Sequence, residues 1–238
     1  MSLDWPAAWQ ALIHHPLFGV GITLGTYQLA LAGYERTRWV FLQPVLVSML
    51  MVIGVLLACG LTYAEYRKSA EVLTIFLGPA TVALAVPLFL NLRRIRQLFW
   101  PTLLTLLIGG VVATVLGVAL THWFGAEPQM LMSMAPKSVT SPIAMLVADQ
   151  IGGIAALAAV FVLITGVLGA IIGPELLQRL GVRHHAALGM ALGLTAHAVG
   201  TARALQVSDE CGAFAALGMS LMGVATAVLL PLAVALIV

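Results

Sequence analysis

Charge is what this chain has least of. Of its 238 residues 8% are charged and 61% hydrophobic, with a mean hydropathy of +1.07. Soluble domains carry about 25% charged residues, so a soluble fold is excluded. Cysteine is nearly absent too. Cys59 and Cys211 lie within or beside apolar runs and read as packing residues, with neither a disulfide nor a metal role expected. A net charge of +2 is too small to attract nucleic acid, and no GxxxxGK(S/T) or GxGxxG loop occurs. His14-His15 and His184-His185 have no metal-ligand company, and no Ser/His/Asp arrangement can be assembled. Neither an enzyme nor a cofactor is expected.

Uninterrupted apolar sequence is what the chain has most of. Residues 40–64, 72–92, 97–120, 150–174 and 211–238 each reach the ~20 residues that cross a bilayer as helix. With a shorter run at 17–32, a central one at 131–148 and another from Ala187, they predict an all-α, polytopic integral membrane protein of about seven to eight hydrophobic segments. No basic stretch precedes the first run, so residues 1–16, with Trp5 and Trp9, read as an interfacial segment. Residues 17–238 read as a single transmembrane domain. Residues 63–71 and 174–186 are expected as loops. Helix breaks are expected at Pro79, Pro87, Pro136, Pro142 and Gly200, where a backbone donor is lost or a Cβ is missing.

The basic clusters set an orientation. Arg36 with Arg38, and Arg93, Arg94 and Arg96, lie two helices apart and hence on one side, cytoplasmic by the positive-inside rule. Arg179 and Arg183 join them if the central segment is re-entrant or strongly broken. The third and seventh segments share an Ala-Val-breaker pattern, Leu84-Ala85-Val86-Pro87 and His197-Ala198-Val199-Gly200. This suggests an inverted-repeat secondary transporter with halves near 17–121 and 128–238.

The chemistry concentrates at Met134–Ile143, where two prolines, three hydroxyls and one of only two lysines interrupt apolar sequence. Irregular backbone at membrane depth survives only where protein or a watery cavity covers it. An intramembrane lysine is costly unless it has a partner or a cavity, so Lys137 is the leading candidate. Ser138, Thr140 and Ser141 can bind carboxylate or hydroxyl oxygens, or else cap the local break. His197, deep in an apolar run, can take up a coupling proton or simply bridge helices. Thr201 shares its face, and Arg203 follows near the helix end. All nine acidic residues, Asp4, Glu35, Glu65, Glu71, Glu127, Asp149, Glu175, Asp209 and Glu210, fall in loops or at segment ends. Lys137 and His197 therefore lack an intramembrane carboxylate, and an anionic substrate would supply the missing charge. Proton coupling is expected over sodium coupling.

Four stretches, 76–88, 136–144, Gln150-Ile151-Gly152-Gly153 and His197-Ala198-Val199-Gly200-Thr201-Ala202-Arg203-Ala204-Leu205, resemble the LrgB/CidB family of bacterial membrane proteins over nearly the whole chain. The resemblance implies a multi-pass protein of the bacterial cytoplasmic (inner) membrane with one of two functions. One is carriage of small monocarboxylates, as in the similar part of a plant plastid glycolate/glycerate translocator; glycolate, glycerate or pyruvate is then the substrate, with Lys137, Ser138, Thr140, Ser141, Thr81, His197, Thr201 and Arg203 as the binding set. The alternative is an antiholin- or holin-like regulator of murein hydrolase activity and lysis, acting with an LrgA/CidA-like membrane partner. A homodimer is expected in either case.

Overall fold

The computed structural model describes residues 4–37, 39 and 42–237, except the side chains of Leu77, Ala80, Thr81 and Ile237. Among the described residues every regular element is helical, as expected. The chain divides into two compact units, Met1–Ala83 and Leu84–Val238.

The first unit holds α1 (Trp5–Ile13), α2 (Phe18–Thr37), α3 (Pro44–Cys59), α4 (Tyr63–Ser69), α5 (Glu71–Ile75) and α6 (Leu77–Ala83). Trp5 and Trp9 on α1 are exposed. α2 continues through Glu35 and Arg36 beyond its expected end, whereas Arg38 lies outside the described residues. Gln43 caps α3 by accepting from the Leu46 N–H, and Gly60 ends it with φ +67, a left-handed conformation glycine adopts without penalty. Residues 63–71, expected as a loop, instead hold α4 and the start of α5. Thr62 and Glu65 form a reciprocal capping box that nucleates α4, a signal the charge pattern conceals. α3 and α4 meet at 115°.

The second unit runs through α7 (Ala85–Leu90), α8 (Leu92–Gln97), α9 (Phe99–Leu104), a π-helical turn (Thr105–Gly109), α10 (Gly110–Trp123), α11 (Pro128–Met134), α12 (Ser141–Gln150), α13 (Ala155–Arg179), α14 (His185–Leu205) and α15 (Asp209–Ile237). Pro79, Pro87 and Pro101 each occupy the third position of a short helix, α6, α7 and α9. A proline there needs no N–H, and its clash with the carbonyl four residues back is relieved by a break just upstream. The expected breaks at Pro79 and Pro87 are therefore present but lie ahead of the prolines, before Leu77 and at Leu84. Pro174 ends nothing: α13 continues to Arg179, so the expected 174–186 loop starts only after it.

Among the described residues three helical stretches are long and apolar enough to cross a membrane, Phe99–Trp123, Ala155–Arg179 and Asp209–Leu236, with α3 and α4 adding a fourth if their bent pair is one span. They coincide with the expected runs at 97–120, 150–174 and 211–238. The chain is an all-helical membrane protein. The expected count of seven to eight segments is not reached by spans of this kind, because 72–92 is cut into short helices and the segments at 131–148 and from Ala187 are broken.

α14 is the most consequential of these. It does not break at Gly200, as expected, but at His197, where φ is 41° and ψ −130°. The break reverses the chain. A Cβ on Gly200 would meet the Leu192 carbonyl, and Ala204 shares a buried cluster with Leu188, although a straight helix would hold those two about 24 Å apart. Residues 185–196 and 198–205 are thus two arms of a hairpin. Gly200 has no positive φ and is small because the other arm lies against it.

Glycines make this packing close. Gly189 and Gly193, on the first arm, abut the carbonyls of Cys211 and Ala215 in α15, so the arm and α15 run in the same direction. Gly166, Gly169 and Gly173 of α13 face His197, Ala196 and Leu192 in that order, so α13 runs opposite to the arm. The Gly169–Gly173 pair allows close helix approach within the chain.

At Gly193 the obstacle is backbone and cannot swing aside. Gly193→Ala is expected to destabilise the protein in detergent by about 1–3 kcal/mol or more. Gly54→Ala, at a site with nothing within 4 Å, should stay within about 0.5 kcal/mol. Thermal unfolding of both variants beside wild type checks the contrast.

Candidate functional site

The central break spans residues 135–140, between α11 and α12. Pro136, fully buried, cannot donate to a continuing helix, and the chain advances through two tight turns, Lys137 N–H to Met134 carbonyl (3.1 Å) and Val139 N–H to Pro136 carbonyl (3.3 Å). Thr140 is extended, with ψ 148°, and Pro142 at the second position starts α12. The breaks at Pro136 and Pro142 are present as expected.

Beyond α12 the chain returns to the end of α11. Gly152 turns it with φ +84, and a Cβ on Gly153 would sit 2.8 Å from the Ser133 nitrogen. The Ser133 hydroxyl, wholly buried, donates to the Gln129 carbonyl at 2.7 Å and accepts from the Ile154 N–H at 2.8 Å. Ser133 thus locks the far end of α12 to the end of α11, closing residues 133–154 into an excursion that leaves and comes back. Ser133 is a residue that sequence reasoning misses. The Gly152-Gly153 pair is the available signal, since two glycines beside a serine-bearing helix end mark a close backbone approach.

Lys137 lies at the turn of this excursion, half-buried. Its stem crosses Gly117 of α10, where a Cβ would stand 2.6 Å from Cε, and its ammonium donates to the Ser138 hydroxyl at 3.1 Å. Gly117 lies six residues inside Trp123, about 9 Å of helix rise from the end of a candidate span. Among the described residues no carboxylate pairs with Lys137. Ser138 is buried beside it. Thr140 and Ser141 come next, half-buried, and the Thr140 hydroxyl does not cap α12.

The other candidates stand apart. His197 is buried at the hairpin tip, with Nε2 3.0 Å from the Val162 carbonyl of α13, its ring filling the space that Gly166 leaves open. Thr201 donates to the His197 carbonyl at 2.9 Å, satisfying an acceptor beside the reversal. Arg203, at the other end of that arm, donates to Gln206 at 3.0 Å. Val139 and Val162 share one apolar cluster with Leu194 and Met222, so the break and the hairpin tip belong to a common core, but no hydrogen bond joins Lys137 to His197. The Thr81 side chain is outside those described. A cavity of ≈560 Å³, almost wholly apolar and lying between α10, α11 and α15, is lined by none of the eight candidates. No group of three or more His, Cys, Asp or Glu residues that could hold a metal occurs among the described residues.

Similarity to known proteins identifies the family. The model of the LrgB-like family matches residues 23–236. This chain belongs to the LrgB-like family. The LrgB-like chain is 33% identical over 205 residues to an uncharacterized protein of Bacillus subtilis, YwbG, covering 86% of this chain and 91% of the relative. It is 32% identical over 210 residues to an uncharacterized protein of Haemophilus influenzae (88% and 91%). It is 28% identical over 218 residues to the antiholin-like protein LrgB of Bacillus mycoides (91% and 95%). The likeness is of whole chains rather than of a shared module. The name of this last relative stands with the antiholin-like alternative rather than with monocarboxylate carriage. No solved structure matches the chain.

His197 combines a strained backbone with a hydrogen bond, and two substitutions separate them. Glycine removes the ring but accepts φ 41°, whereas alanine loses the ring and keeps the strain. His197→Ala is expected to unfold at a lower temperature than His197→Gly, by the equivalent of about 1 kcal/mol, with both below wild type. Thermal unfolding in detergent gives the order.

Proposed function

We propose that this protein carries small monocarboxylates or 2-hydroxy acids across the bacterial cytoplasmic membrane, with the central break as the binding site. One observation carries the reading: Lys137 presents a half-buried ammonium at a closed excursion of the chain, with only a hydroxyl for company. A cation at such depth costs about 2.5–3.5 kcal/mol on insertion scales when nothing compensates it. A bound carboxylate restores the balance. Ser138, Thr140 and Ser141 supply further donors, and glycolate, glycerate and pyruvate are the substrates of the right size and charge. Two chain reversals in one unit, at 133–154 and at His197, suit alternating access in an inverted-repeat transporter with halves near 17–121 and 128–238. His197 would handle a coupling proton through Nδ1, because Nε2 is taken up by Val162. Thr201 and Arg203 join the site only in another conformation, and Thr81 completes the proposed binding set.

A second reading is favoured by the relatives' names. As an antiholin-like protein, the chain would restrain murein hydrolase activity together with an LrgA-like membrane partner, without binding a substrate. A homodimer belongs to either reading. Gly169 and Gly173 are used inside the chain, which leaves the Gly21–Gly25 face of α2, where nothing lies within 4 Å.

Uptake of labelled glycolate, glycerate and pyruvate into proteoliposomes separates the readings. The carrier reading expects saturable uptake, faster with an inward proton gradient, and reduced at least tenfold by Lys137→Ala. If folded protein, alone or with an LrgA-like partner, takes up none of the three while Lys137→Ala still restrains lysis in cells, the regulator reading stands in its place.

A further inference from the structure

A different set of polar groups lies at the base of the hairpin, and what it supports does not depend on the carrier reading. The first N–H of α14 to find a helical acceptor is that of Leu188, bonded to the His184 carbonyl at 3.0 Å. The N–H groups of His185, Ala186 and Ala187 precede it and have no acceptor within the helix, and the His184 side chain does not cap them. Ala186 and Ala187 line a cavity of ≈180 Å³ together with His184, Thr102 and Thr105. Drug-sized ligands occupy roughly 300–1,000 Å³, so the space suits a group of a few atoms.

Thr102 is the independent observation. Helical threonines commonly turn their hydroxyl back onto a preceding carbonyl, as Thr23, Thr121, Thr195 and Thr201 do. Thr102 is only 8% exposed and has no hydrogen-bond partner for its hydroxyl among the described residues. Among the described residues no buried side-chain oxygen is sealed off without a partner, so Oγ1 has open space beside it, and Thr102 lines this cavity. Pro101 and the π-helical turn hold Thr102 and Thr105 there, and π-turns are frequent at functional sites.

Arg94 can only donate hydrogen bonds, so its Nη2 contact with His184 Nε2, at 3.0 Å, makes Nε2 the acceptor and leaves the ring proton on Nδ1. Glu210 steadies Arg94 through Nε at 3.2 Å. His184 therefore adds an N–H donor, with a guanidinium directly behind it. No carboxylate lines the cavity. We infer that this cavity binds a small oxyanion, a phosphate or carboxylate group, held by the Ala186 and Ala187 N–H groups, the Thr102 and Thr105 hydroxyls and His184 Nδ1. The group belongs either to a free anion or to a lipid headgroup.

The test uses the full chain, purified in detergent and stripped of lipid. Its unfolding temperature is followed as inorganic phosphate replaces chloride at fixed ionic strength, and separately as dioctanoyl phosphatidic acid is added. A saturable rise with phosphate identifies a free anion; a rise with phosphatidic acid at concentrations where phosphate is silent identifies a headgroup. Thr102→Val removes the hydroxyl at constant volume. Ala187→Pro removes one N–H at a third helical position, where this chain already carries Pro79, Pro87 and Pro101. Each is expected to weaken the apparent affinity roughly tenfold, with the midpoint in chloride unchanged. The site is refuted if neither probe gives a saturable shift, or if the shift survives in whichever of the two variants keeps its chloride midpoint.

Discussion

A helix cannot be interrupted in hydrocarbon unless protein covers the amides and carbonyls it gives up. That constraint governs two interruptions in the second unit, the central break and the hairpin tip. At the central break, two tight turns pair the Lys137 and Val139 N–H groups, and the Ser133 hydroxyl takes the Ile154 N–H where the excursion returns. At the hairpin tip, the Thr201 hydroxyl takes the His197 carbonyl, and His197 itself reaches across to α13. Both interruptions are enclosed by α13 and α15, the uninterrupted helices beside them.

Enclosure at this closeness requires backbone to touch backbone, which explains where the glycines are. Gly153, Gly189, Gly193 and Gly200 all meet main-chain atoms of another segment, and Gly166 makes room for an imidazole. Removing side chains at these points lets helices approach until van der Waals contact, rather than the hydrophobic effect, holds them, as packing in lipid demands. The same glycines fix which way each arm faces, and so carry the His197 strain without an opening in the core.

The charged and polar groups then divide by location. Lys137 stands at the turn of one excursion, and Arg94, His184 and Glu210 gather at the base of the other. The first arrangement leaves a cation short of an anion, while the second leaves N–H and O–H donors short of an acceptor. Membership of the LrgB-like family accommodates both.

Composition and uninterrupted apolar runs determined that this is a helical membrane protein, because an 8% charged chain with runs of ~20 residues fits spanning helices and not the short alternating strands of a barrel. Spacing located three long spans, the central break and Lys137, since prolines and isolated charges act locally and are visible in one dimension. The capping box at Thr62 and Glu65 is legible as well, although the charges around it make the stretch read as a loop. Only the tertiary structure decided that α14 reverses at His197 rather than at Gly200. A histidine with φ 41° is tolerated because Val162 and Gly166 of another helix hold its ring, and Gly200 is small because of Leu192, eight residues earlier. Such causes lie in residues distant along the chain, where neither periodicity nor propensity reaches.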